Sequence, residues 1–270
     1  MSGHSGAMDF KAACLQMTSG GNVSANIDQA LELARSAVDA GAGFILLPEV
    51  CNLMEPDRAR LLSQITDEAD DMMLGQFRRF ARANHVWVLL GSIVVKSGTK
   101  AANRSILIDG SGTIQARYDK MHLFDVDLGS EGYRESATYV AGSERVAQGT
   151  PWGKAGLSIC YDLRFPGLYR KLAKNGASFL TVPSAFTRPT GAAHWHVLLR
   201  ARAIENGCFV FAPAQTGVHD GGRETYGHSL IVDPWGQVLA DGGEDTGVIT
   251  ADIDMGLVDQ ARRKIPSLGV

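Results

Sequence analysis

Two stretches of this chain, "GAGFILLPEV" at 41–50 and "GASFLTVPSA" at 176–185, share one pattern: glycine, a short apolar run, then proline. The likeness extends in the same order through the flanking sequence. "VWVLLGSIV" from 86 resembles "CFVFAPAQT" from 208, and "SILIDGSGTI" from 105 resembles "SLIVDPWGQV" from 229. Each half therefore reads as helix, apolar strand closed by proline, helix, strand, β-hairpin. An internal repeat of this kind restricts the chain to an α/β fold duplicated within itself. Strands that are apolar on both faces and lie between helices form sheets covered by helices. Duplication predicts two sheets packed together with helices outside. A single doubly wound sheet is the other arrangement, but the GxGxxG phosphate fingerprint it often carries is absent.

Periodicity fills in the first half. "FKAACLQM" (10–17) reads as a strand. In "NIDQALELARSAVDAG", Ile27, Ala30, Leu31, Ala34 and Val38 share one helical face, and Gly41 can end the helix. "FILLPEV" (44–50) is a short buried strand, 68–84 a helix, and 86–95 and 105–118 further strands, with a turn at Asp109–Gly112.

Of the 270 residues, 45% are hydrophobic and 20% charged, enough apolar content for a sizeable core. A net charge of −3 without basic clusters argues against nucleic-acid and membrane partners. No apolar run reaches the roughly 20 residues that span a bilayer. The segment 1–9 reads as flexible, without the basic and apolar regions of a signal peptide, and 10–270 reads as one domain. The four cysteines, Cys14, Cys51, Cys160 and Cys208, show no CxxC spacing. No metal or disulfide framework is expected, and a cytoplasmic location fits.

In folds of this class, reactive groups collect beyond the C-terminal ends of strands. Three such ends carry capable residues: Glu49 after "FILLP", Lys120 after "IQARYD", and Cys160 after "GLSI". A thiol alone is most simply a small buried hydrophobe. As a nucleophile it needs a group to take its proton. A histidine or a carboxylate can do so, the carboxylate if burial raises its pKa toward that of the thiol. Glu49, closing an apolar strand, suits that expectation. A nearby ammonium such as Lys120 would stabilise an oxyanion.

With these residues in view, "LLPEV", "YDKMHLFD" and "GLSICYDLRFP" together resemble the catalytic segments of the nitrilase superfamily of carbon–nitrogen hydrolases. The likeness runs from about Phe10 to Asp254. "SAFTRPTGAAHWHVLLRARAIEN" and "YGHSLIVDPWGQV" resemble its branch containing deaminated glutathione amidase and ω-amidase. The resemblance implies a four-layer αββα sandwich built from two similar halves. It assigns Cys160 as nucleophile, Glu49 as general base, Lys120 as the stabilising cation, and Glu135 of "GYRESATYVAG" as a second glutamate, with Glu131 as a substitute for it. It gives Arg164 a substrate carboxylate to bind, with Tyr161, Phe186 and Thr190 beside it, and the backbone N–H of Tyr161 an oxyanion. No cofactor is implied. A homo-oligomer, a dimer through the C-terminal half, is implied.

The expected activity is hydrolysis of a small carboxylate-bearing amide through a cysteine thioester, with deaminated glutathione, split to 2-oxoglutarate and cysteinylglycine, as substrate. The alternatives are an ω-amidase acting on 2-oxoglutaramate or 2-oxosuccinamate, and an idle interaction scaffold. His122, His194, Trp195 and His196 read as structural. Arg200, Arg202 and Glu205 suggest internal ion pairs or a subunit contact. Cys14, Cys51 and Cys208 read as core.

Overall fold

The computed structural model describes residues 9–127 and 132–269; most of the segment expected to be flexible, and Glu131, lie outside these residues. The first half opens with β1 (Phe10–Gln16), α1 (Val23–Asp39), β2 (Phe44–Leu46), α2 (Arg58–Gln64) and α3 (Met72–Asn84). It continues with β3 (Trp87–Ser97), β4 (Lys100–Ile108) and β5 (Ile114–Asp119). A small hairpin, β6 (Asp125–Asp127) and β7 (Gly132–Arg134), follows. The second half holds β8 (Ala147–Thr150), β9 (Gly153–Leu157), α4 (Pro166–Lys174), β10 (Ala177–Thr181), α5 (Arg188–Asn206) and β11 (Phe209–Ala212). A second small hairpin, β12 (Thr216–Val218) and β13 (Glu224–Tyr226), precedes β14 (Leu230–Val232), β15 (Val238–Asp241), β16 (Gly247–Ile253) and α6 (Gly256–Lys264).

The strands form two six-stranded sheets, ordered β16-β1-β2-β3-β4-β5 and β15-β14-β11-β10-β9-β8. The sequence repeat maps onto them strand for strand. β1, β2 and β3 run parallel, then β4 and β5 turn back antiparallel. β9, β10 and β11 do the same before β14 and β15. The outer partner of the leading strand, β16 on β1 and β8 on β9, is antiparallel in both halves. The chain is thus a four-layer αββα sandwich, and a single doubly wound sheet is ruled out.

Strand alternation explains why "FKAACLQ" is apolar throughout. Ala12 and Cys14 face the layer between the sheets, while Ala13 and Leu15 face α1 and α3. Phe10, Phe44, Phe179, Phe211 and Trp152 meet between the sheets, Phe10 and Trp152 stacked at 4.3 Å. Each such side chain contributes about 1.5–3 kcal/mol by leaving water.

Two boundaries differ from expectation. The helix predicted over 68–84 is broken at Asp71, whose carboxylate caps α3 by accepting the Leu74 N–H at 2.8 Å. β2 is shorter than 44–50 because the chain turns away at Pro48, and that turn positions the site. No helix among the described residues is long and apolar enough to cross a membrane.

Candidate active site

Glu49 follows β2 in a turn held down by β3. The Ser92 hydroxyl accepts the Val50 N–H at 2.8 Å, and the Ser92 carbonyl accepts that of Cys51 at 2.9 Å. The pairing of β3 with β4 slips between Leu90 and Ile93, which opens room for this contact. Gly91 sits in the gap, and a Cβ there would lie 1.9 Å from the Leu47 carbonyl oxygen. Val50 itself is left-handed (φ 49°).

Cys160 is also left-handed (φ 49°) and starts the one-turn helix Cys160–Arg164 past the end of β9. Its N–H donates to the Pro183 carbonyl at 2.9 Å, which ties the turn to the strand beside it. Asp162, fully buried, joins this turn to the lysine segment. One carboxylate oxygen accepts the Ile159 N–H at 2.9 Å and the Tyr118 hydroxyl at 2.6 Å. The other accepts the His122 N–H at 3.1 Å and lies 2.6 Å from His122 Nδ1. His122 therefore braces the wall from behind, stacked on Phe165 at 3.6 Å. Arg202 of α5 holds the same turn through the Leu163 carbonyl, at 2.7 and 3.1 Å, and pairs with Glu205 at 3.1 Å.

The three strand-end groups meet. Lys120 Nζ lies 2.8 Å from Glu49 Oε1 and 2.9 Å from Glu135 Oε2, with Glu49 and Lys120 only 4% and 2% exposed. Glu135 enters from the one-turn helix Glu135–Ala137, and its carboxylate accepts the Phe124 N–H at 2.6 Å. Asn103 donates to Glu49 at 2.9 Å, and the Ala185 N–H donates to the other Glu49 oxygen, also at 2.9 Å. Cys160 lines the same wall, near enough for the Glu49 charge to act on its thiol.

The charge states correct one expectation. Burial pushes the Glu49 carboxyl up, as anticipated, but the Lys120 ammonium overrides it, helped by Cys160 and Arg223, and holds Glu49 below the usual carboxylate range. Burial and the Glu49 charge push the Cys160 thiol well above its ordinary range, against the pull of Lys120. Glu135 and Glu49 keep Lys120 charged despite its burial. The resting pair is thus a neutral thiol beside a carboxylate. All four groups line one cavity of about 350 Å³.

Residues 11–263 match the carbon–nitrogen hydrolase family. The chain belongs to that family. It is a hydrolase of carbon–nitrogen bonds of the amidase kind. It is 44% identical to deaminated glutathione amidase from Synechocystis sp. over 267 residues, 96% of this chain and 97% of that protein. Saccharomyces cerevisiae Nit3, a member of branch 10 of the nitrilase superfamily, has a similar structure (TM-score 0.86, 28% identity, covering 98% of this chain and 97% of that one). So does an amidase from Nesterenkonia sp. AN1 (TM-score 0.81, 25% identity, covering 98% and 97%). The latter was solved as a glutamate-to-glutamine mutant with the acetamide moiety of fluoroacetamide on its active-site cysteine.

In this hydrolase the predicted binding residues divide. Tyr161, Phe186 and Thr190 line the cavity. Arg164 is not among its lining residues; it lies in a separate depression with His122 and Lys171. Its guanidinium is 3.3 Å from His194 Nδ1 and 5.4 Å above the Phe186 ring, behind the cavity wall. Trp195 is buried and donates to the His228 carbonyl at 2.7 Å, while His196 pairs with Asp241 at 3.0 Å. Cys14, Cys51 and Cys208 are fully buried. Groups not foreseen include Tyr139 and Arg223 on the cavity wall and Asn103, which bonds Glu49 from outside that wall. Asn103 gave one faint signal, an amide in a strand whose neighbours Ala102, Ile106, Leu107 and Ile108 are apolar.

Proposed function

We propose that this hydrolase cleaves a carboxylate-bearing amide, deaminated glutathione, to 2-oxoglutarate and cysteinylglycine through a thioester on Cys160. The observation that carries the reading is the bonded set Glu49–Lys120–Glu135 with Cys160 beside it on one cavity wall. Similarity to the Synechocystis amidase supports the substrate, and the adduct on the Nesterenkonia enzyme's cysteine supports the nucleophile.

With the thiol proton resting on sulfur, Glu49 acts as a general base during attack rather than as one half of a standing ion pair. The sulfur bonds to the amide carbon as its proton passes to Glu49. Oxyanion charge is met by Lys120, which can turn one of its two bonds to Glu135 toward it. Tyr161 supplies a backbone N–H at the start of its one-turn helix, where such groups have no intrahelical partner. Glu49 returns the proton to the departing nitrogen as the C–N bond breaks. It then takes a proton from water, whose oxygen attacks the thioester and frees the acid and the thiol.

The test is turnover of deaminated glutathione, 2-oxoglutaramate and simple aliphatic amides, with the peptide expected to be the best substrate. Iodoacetamide at neutral pH should label one thiol and abolish activity. Cys160, 8% exposed on the cavity, has Glu49 to take its proton, whereas the other three cysteines are fully buried. Labelling of another cysteine first, or activity surviving Cys160 labelling, would sink the thioester mechanism.

We further propose that the chain acts as a homo-oligomer in a reducing cytoplasm. Its four cysteines are all free, and α5 of the C-terminal half exposes Val197 and Ile204. A monomer in sedimentation equilibrium at micromolar concentration contradicts the assembly.

A further inference from the structure

Helix α5 and the hairpin β14–β15 meet at a cluster that the amide chemistry does not use. His196 comes from the middle of α5, His228 from just ahead of β14, and Asp241 from the last position of β15. Leu230 pairs with Asp241 across the hairpin, which sets His228 and Asp241 at the same end of it. His196 Nε2 lies 3.0 Å from one Asp241 oxygen, and His228 Nδ1 lies 2.9 Å from the other. One nitrogen of each ring and one carboxylate oxygen all fall within 4.8 Å of one another. Ligand atoms around a tetrahedral ion with bonds of about 2.0–2.1 Å stand roughly 3.3 Å apart. Small side-chain shifts therefore bring this set onto one ion. His196 and His228 stand 45 and 13 residues before Asp241 in the chain, so no local motif marks them.

The three groups are braced from behind. The Gly243 N–H donates to Asp241 Oδ1 at 2.9 Å. The His228 N–H donates to the Gly243 carbonyl at 2.6 Å, and the His228 carbonyl accepts the Trp195 indole N–H at 2.7 Å. The His228 ring stacks on Tyr226 at 4.5 Å and meets the His196 ring edge-on at 5.1 Å. His228 is also left-handed (φ 53°), a conformation in which a large side chain persists only where its surroundings hold it. With both rings carrying a proton toward Asp241, two imidazole donors and a backbone N–H converge on one carboxylate. A cation takes the place of both ring protons, since metal-bound imidazole is deprotonated at the ligating nitrogen. The side chains of His196, His228 and Asp241 are 33%, 21% and 35% exposed, so an ion can enter from solvent and keep a water.

We infer that His196, His228 and Asp241 bind one divalent ion of the zinc class, which ties α5 to the β14–β15 hairpin. Imidazole suits zinc, copper and nickel, whereas magnesium prefers oxygen ligands alone. The cavity lining includes none of the three residues, so the ion acts on the fold and not on the reacting atoms. The tied helix matters to the site all the same. Its Arg202 holds the Cys160 turn through the Leu163 carbonyl, and its Trp195 packs on Phe186 of the cavity wall at 4.9 Å.

The test titrates zinc into the full chain carrying Cys160→Ala, which removes the reactive thiol as a competing ligand, against a chromophoric chelator. One ion should bind with a micromolar Kd, and millimolar magnesium should not displace it. Adding His196→Gln should weaken zinc binding at least about 30-fold, a loss within the range seen even for groups that only orient a ligand. Asp241→Asn should do the same, as should His228→Asn, whose asparagine tolerates the left-handed backbone. Zinc at about 100 times its Kd should raise the melting temperature by about 5 °C, and His196→Gln should abolish that gain. His196 lies on the partly exposed face of α5, so this variant keeps its fold even if those at the hairpin do not.

Absence of saturable zinc binding, or an affinity within about threefold of the parent in His196→Gln, overturns the site. Zinc binding that depends on His196 but leaves the melting temperature unchanged overturns the tie between helix and hairpin.

Discussion

Cys160→Ala should reduce amide turnover by about 10⁴- to 10⁶-fold while leaving the protein folded. The size follows from how a nucleophile and its base act as a unit: once the attacking atom is gone, the base and oxyanion donors have no bond-forming step to assist. The fold should tolerate the change for a structural reason. The Cys160 turn is held by backbone and Asp162 contacts: its own N–H to the Pro183 carbonyl, the Ile159 N–H to Asp162, and Arg202 to the Leu163 carbonyl. None of these uses the sulfur. The alanine keeps a left-handed backbone that alanine tolerates no worse than cysteine. Removing the thiol takes away one of the smaller influences that keep Glu49 charged, and the larger one, Lys120, remains. The measurement is single-turnover kinetics beside thermal melting. A variant that unfolds several degrees earlier would show the sulfur to be a packing element. A variant that keeps more than about 1% of wild-type turnover would remove Cys160 from the chemistry.

The sequence was most informative where burial is two-sided. Strands such as "FKAACLQ" and "FLT" are apolar on both faces because helices cover one face and the opposing sheet the other, so the repeat stood out and its pairing held strand for strand. Glu49, Lys120 and Cys160 were visible for the opposite reason: each is a reactive group placed where an apolar run stops. Glu135 had no such frame. It lies in a one-turn helix after a short hairpin, and only the family likeness pointed to it.

Arg223 was hidden in a different way. "HDGGRET" reads as an ordinary polar surface turn, and nothing local says that the turn folds back over the end of the other half. The His219 ring lies 2.8 Å from the Ser19 carbonyl, and the Gly21 N–H donates to Asp220, contacts between segments almost two hundred residues apart. The charge state of Glu49 was equally out of reach. Burial and ion pairing act on it in opposite directions, and which prevails depends on a distance, 2.8 Å to Lys120, that no spacing encodes.

That distance makes Lys120→Met the other severe substitution, and its pH dependence distinguishes it from a simple loss of packing. Lys120 stands between two carboxylates, bonded to Glu49 at 2.8 Å and to Glu135 at 2.9 Å. Methionine keeps the apolar stem and removes the charge, leaving both acids facing one dry wall. Breaking a buried ion pair from one side costs about 3–5 kcal/mol, and losing an oxyanion donor costs about 10²- to 10³-fold in kcat. In the wild type, Glu49 is held below the usual carboxylate range. Its contribution to stability is therefore full above its unfolded pKa, about 4.3, and is lost as pH falls through the folded value. In Lys120→Met the main opposition to burial is gone, Cys160 and Arg223 being the smaller influences, and the folded pKa moves above the unfolded one. The sign then reverses: stability is present below pH about 4.3 and lost as pH rises through the folded value. The gap in melting temperature between wild type and variant should accordingly narrow as pH is lowered from 8 toward 4. Adding Glu135→Gln should recover part of the loss at neutral pH, since it removes one of the two opposed charges. A gap that stays constant across that range would mean that Lys120 acts through its volume rather than its charge, and the ion-paired description of this site would fail with it.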